Sequence, residues 1–131
     1  MPHISRNKLS KETEQELINN LNRVFTSISR TDDMLTFIHA LFTDTEKLML
    51  AKRLGIIILL QEGLSDSEIA EMLHVTRITV AKMRYYNEAR GTGFIVALKK
   101  LEQQKDYEAF KTLLLSLAKY SIRATGGYVK L

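Results

Sequence analysis

The sequence predicts an all-α, multi-helix fold. Three observations carry that prediction: apolar residues recur at spacings of three and four along most of the chain, a single proline interrupts 131 residues, and capping residues precede the apolar runs. With 45% hydrophobic residues the chain is long enough to bury one compact core and is not a disordered segment.

Taken in order, residues 1–9 form a flexible arm in which Arg6 and Lys8 read as a solvated basic terminus, with Lys11 just beyond. Leu17, Ile18, Leu21, Val24, Phe25 and Ile28 then mark an amphipathic helix from about Ser10 to Ser29. A second, shorter helix starts after Thr31. Asp32 and Asp33 lie in its first turn, where the helix dipole favours negative charge, which explains the pair without acid–base chemistry. His39 in this apolar helix reads as a hydrogen-bonded structural histidine.

The third helix opens with Thr43 and Glu46 at capping-box spacing and stops at Gly63. Ile56 to Leu60 leave its middle almost without a polar face. Three consecutive isoleucines would also suit a strand, but the caps and the length favour a helix buried on all sides. So small a chain leaves too little domain to hide every face, so the expected cover is a second subunit, making a homodimer. Past "GTG" at Gly91–Gly93, residues 92–120 read as a C-terminal extension of two amphipathic helices, with Lys99, Lys100 and Lys105 on a wet face. Residues 121–131 read as a flexible tail.

Composition removes several function classes. With no cysteine there is no disulfide, thiolate nucleophile or Cys-based zinc site, and three scattered histidines do not make a metal centre. No cofactor is implied, and no nucleophile, base and oxyanion donors assemble, so an enzyme is not expected. The N-terminus lacks a signal-like apolar run, and "GIIILL" is too short to span a bilayer; the expectation is a cytoplasmic protein with no membrane contact. Nineteen Lys/Arg against fifteen Asp/Glu is compatible with an anionic partner.

The stretch "SEIAEMLHVTRITVAKMRYY" supplies that partner. Ser65 and Glu68 form a second capping box, and about 65–87 reads as a helix-turn-helix within a 10–91 dimerisation and DNA-binding domain. Ile69, Leu73, Val75, Val80 and Met83 fill its apolar places, and Ala70 is the small residue where the two backbones nearly touch. His74 stands at a turn position that glycine usually takes, and histidine is among the other residues that enter the left-handed region. Thr76 caps the second helix.

At 3.6 residues per turn, Ile78, Lys82 and Tyr85 face away from Val80 and Met83, with Thr79 and Ala81 beside them. Charge is segregated: Asp66, Glu68 and Glu71 lie on the first helix, Arg77, Lys82 and Arg84 on the second. This mixture suits double-stranded DNA. Arg77 fits a guanine, Ile78 and Ala81 fit thymine methyls, and Thr76, Thr79, Lys82 and Arg84 fit phosphates or base edges. Tyr85 fits a phosphate, although Tyr85 and Tyr86 suit the edge of a core equally well. The competing reading is a helical protein-interaction or assembly module that uses the helix-turn-helix for packing.

Read whole, "LFTDTEKLMLAKRLGIIILLQEGLSDSEIAEMLHVTRITVAKMRYYNEARGTGF" resembles the Trp repressor-like family, and within it the YerC/YecD-type branch. The resemblance covers about residues 35–100. It implies an intertwined, all-helical homodimer that binds operator DNA and regulates transcription, usually as a repressor. It also implies an effector pocket at Arg53, Lys82 and Met83. The tryptophan-sensing member has two arginines and a glycine there. Here Arg53 matches the first arginine, while Lys82 and Met83 replace the second and the glycine. Lysine offers no planar face to an indole and methionine fills space, so tryptophan is not the expected effector.

Overall fold

The computed structural model describes residues 8–104 and 106–124, with 119–124 as backbone alone; among them there are six helices and no strand. These are α1 (Lys11–Ser27), α2 (Thr31–Leu41), α3 (Asp44–Gln61), α4 (Asp66–Leu73), α5 (Arg77–Glu102) and α6 (Tyr107–Ala124). The predicted arm through residue 7, Lys105 and the part of the predicted 121–131 tail beyond residue 124 lie outside the described residues; residues 121–124 correct that reading, since they continue α6. The chain divides into two compact units, Met1–Lys47 and Leu48–Leu131.

In the first unit, Ser10 caps α1, its side chain accepting from the Thr13 N–H at 3.1 Å. The expected apolar stripe is present but uncovered: no α1 residue is buried, and Leu17 and Ile18 are more than half exposed. Phe25 meets Phe37 of α2 edge to face, with ring centroids 5.4 Å apart. Asp32 and Asp33 sit in the first turn of α2 as expected. His39 has a partner: its Nδ1 lies 3.1 Å from Lys47 Nζ, and since an ammonium has only hydrogens to offer, the ring nitrogen accepts. Lys47 also pairs with Asp44 at 2.9 Å, and that hydrogen bond holds the Asp44 carboxyl below the usual range.

The capping box of α3 closes in both directions. Glu46 N–H donates to Thr43 Oγ1 at 3.1 Å, and Thr43 N–H donates to Glu46 Oε1 at 2.9 Å. The bond from the Thr43 backbone holds the Glu46 carboxyl below its ordinary value. At the far end Gly63 takes φ +84°; its N–H donates to Leu60 O and the Leu64 N–H donates to Leu59 O, the paired bonds that close a helix on a left-handed residue.

The second unit holds the core. Ile56, Ile57, Ile58 and Leu59 are at most 1% exposed and share one cluster with Ile69, Met72 and Leu73 of α4, Val80, Met83 and Leu98 of α5, and Leu114 of α6. This corrects the argument that the isoleucine run needs a second subunit: the chain's own α4, α5 and α6 cover it. The approach is close at Gly55, where an added Cβ would stand 3.3 Å from Leu114 and 3.5 Å from Leu73.

The region past residue 91 contributes to that core through Leu98 and Leu114, and Tyr107 is buried as well. Lys111 Nζ pairs with Glu62 Oε1 at 2.8 Å, tying α6 to the end of α3, and this hydrogen bond raises the lysine pKa. The predicted break at "GTG" is present one residue earlier: α5 is two helical segments meeting at a kink at Arg90 (φ −130°, ψ 22°), and Gly91 and Gly93 lie in the second segment. Burial of Leu98 and partial burial of Phe94 and Leu101 seat that second segment against the core.

Candidate nucleic-acid interface

The helix-turn-helix is built by caps at each joint. Ser65 Oγ accepts from the Glu68 N–H at 3.2 Å and starts α4. Its end is His74, in the left-handed region at φ 53°, ψ 52°. Beyond it the Val75 N–H reaches back to Ala70 O at 3.0 Å. The predicted role of His74 in the turn is therefore observed. Thr76 restarts the chain as a helix, accepting from the Thr79 N–H at 3.1 Å, and the two hydroxyls lie 2.9 Å apart. A further tie, absent from the sequence reading, comes from α3: Lys52 Nζ donates to His74 O at 3.3 Å, holding the turn against the preceding helix.

Packing then decides which side of α5 faces outward. Val80 is fully buried and Met83 nearly so, both in the cluster with Ile69 and Leu73 of α4. Thr76, Arg77, Ile78, Ala81, Lys82 and Tyr85 are exposed and Thr79 is half-buried. Ile78 is 69% exposed on that outward side. The two tyrosines separate. Tyr85 is 64% exposed and points out, whereas Tyr86 is half-buried against the core with the Arg90 guanidinium 4.8 Å above its ring. Arg84, also exposed, is engaged within the motif: its Nε donates to Asp66 Oδ1 at 3.1 Å, and a terminal nitrogen reaches the same oxygen.

Of the three residues expected at an effector pocket, the structure brings two together. Arg53 and Met83 line an open cavity of about 460 Å³, along with Tyr86, Arg90 and Phe94. Lys82 is not in its lining and lies on the outward side of α5. Sequence reasoning missed Arg90, although its spacing of four from Tyr86 places both on one helix face. Among the described residues no group of His, Asp or Glu is arranged to hold a metal ion, and no helix is long and apolar enough to cross a membrane.

Residues 50–92 match the family model of a homeodomain-like domain. The matched stretch takes in the last two-thirds of α3, all of α4, the His74 turn and the outward face of α5, and it supports a helix-turn-helix DNA-binding family. Comparisons with curated proteins and with solved structures found no match.

Proposed function

We propose that this chain is a sequence-specific regulator of transcription, a repressor of the Trp repressor-like kind that binds a palindromic operator as a homodimer. The observation that carries the proposal is the outward face of α5. Arg77, Ile78, Ala81, Lys82 and Tyr85 stand exposed on a helix whose opposite side is locked into the core by Val80 and Met83. A guanidinium, two apolar groups, an ammonium and a phenol on one rigid helix are the chemistry that reads major-groove edges and phosphates.

The dimer rests on surface rather than core. Leu17, Ile18, Leu21 and Val24 of α1 are uncovered in the first unit, and Leu48, Met49 and Leu50 of α3 are uncovered in the second. Contiguous apolar side chains of this size mark association surfaces. A two-fold dimer would present one recognition helix per subunit to successive major grooves about 34–36 Å apart.

Tryptophan does not fit as the effector. Met83 is 4% exposed and occupies the cavity wall, and the second cation of that lining is Arg90, stacked on Tyr86. The protein therefore acts as a constitutive binder or answers to a different small molecule. Selection of bound duplexes from a random pool tests the proposal. Inverted half-sites centred about one helical turn apart support it, and a pool without sequence preference would favour the protein-interaction module instead.

A further inference from the structure

We infer that Arg84 is a positioning residue, a strut that sets the angle of the recognition helix through Asp66, and not one of the groups that touch DNA. The inference rests on the DNA-binding reading above. Arg84 lies roughly 40° around α5 from the buried Val80 and roughly 120° from Ile78, between Val80 and Arg77, so it stands where the outward face meets the seam with α4. Both its Nε and a terminal nitrogen converge on Asp66 Oδ1, and the side chains are 46% and 36% exposed.

The placement of the pair along the helices matters as much as the contact. α4 and α5 diverge from the His74–Thr76 turn. Asp66 is the first residue of α4 and Arg84 follows the start of α5 by two turns, so the ion pair bridges the open end of the motif about 11 Å from the turn. The Lys52 to His74 bond fixes the hinge, and the Asp66–Arg84 pair fixes the opening. Burial of Val80 and Met83 packs the two helices together near the turn. The two-nitrogen contact adds a directional restraint at the far end of the motif. Asp66 also gains from its place in the first turn of α4, where the helix dipole favours a carboxylate.

The test is a double-mutant cycle of the full chain with Asp66→Asn, Arg84→Gln and the double variant, read on a selected duplex and on a random duplex over a salt series. Circular dichroism confirms that each variant is folded. A positioning role predicts that each single variant lowers the specific-to-random ratio by about 2- to 5-fold, the range of one partly exposed ion pair, and that the double variant loses no more. It also predicts that Arg84→Gln leaves the salt slope unchanged. Were Arg84 a phosphate contact, Arg84→Gln would lower that slope by about one, and Asp66→Asn, by freeing the arginine, would leave binding unchanged or tighter. That pattern, or additive losses, overturns the inference. Thermal unfolding of the same four proteins reads the coupling without DNA, and its absence there also overturns the strut. A coupling found in a wild type that binds no duplex refutes the DNA-binding reading, and the positioning role with it, while leaving the ion pair itself standing.

Discussion

His74 carries the one positive φ outside glycine among the described residues, and its consequences are measurable. A side chain in the left-handed region costs on the order of 1 kcal/mol relative to glycine. His74→Gly keeps the carbonyl that Lys52 holds, so we expect it to raise stability by about 0.5–1 kcal/mol, seen as a higher denaturant midpoint at unchanged slope. A loss of stability would show that the imidazole contributes beyond the turn. Arg77, exposed at the start of α5, is the expected guanine reader. Arg77→Ala should weaken a selected duplex by ~1–3 kcal/mol while leaving random-duplex binding largely intact; equal losses on both would remove it from that role. The caps at Thr43, Ser65 and Thr76 were legible in the sequence because each reaches only three residues ahead. Asp66–Arg84 and Lys52–His74 were not, since they span 18 and 22 residues and depend on how helices pack.

Among the elements, α3 shows where pattern reading holds and where it overreaches. Caps at both ends outweighed three β-branched residues in a row, and the helix formed. Its all-apolar middle, however, was read as a demand for a second subunit, because the packing supplied by α4, α5 and α6 has no signature in α3 itself. Gly55 locates that packing. Gly55→Val would drive a branched side chain against Leu114 and Leu73 where even a Cβ stands at 3.3 Å, and should destabilise the chain by about 1–3 kcal/mol in denaturant unfolding. An unchanged midpoint would mean that α6 sits less tightly on α3 than described. The kink at Arg90 is the converse case: the "GTG" stretch marks it to within one residue, because glycine lowers helix propensity locally.

For the whole molecule, the apolar surface lies outside the core that the sequence emphasised. α1 buries no residue of its own stripe, and α3 leaves Leu48, Met49 and Leu50 exposed. We expect sedimentation at micromolar concentration to report twice the 15.0 kDa chain mass. Leu17→Glu with Leu21→Glu should shift it toward monomer without loss of helicity; a monomeric wild type would remove the homodimer. The central claim is that the outward face of α5 reads DNA sequence, and a salt series on a selected and a random duplex tests it most directly. Affinity for both should fall steeply as salt rises, with the selected duplex favoured by ~10³ or more throughout. Equal affinity for the two at every salt concentration would contradict it.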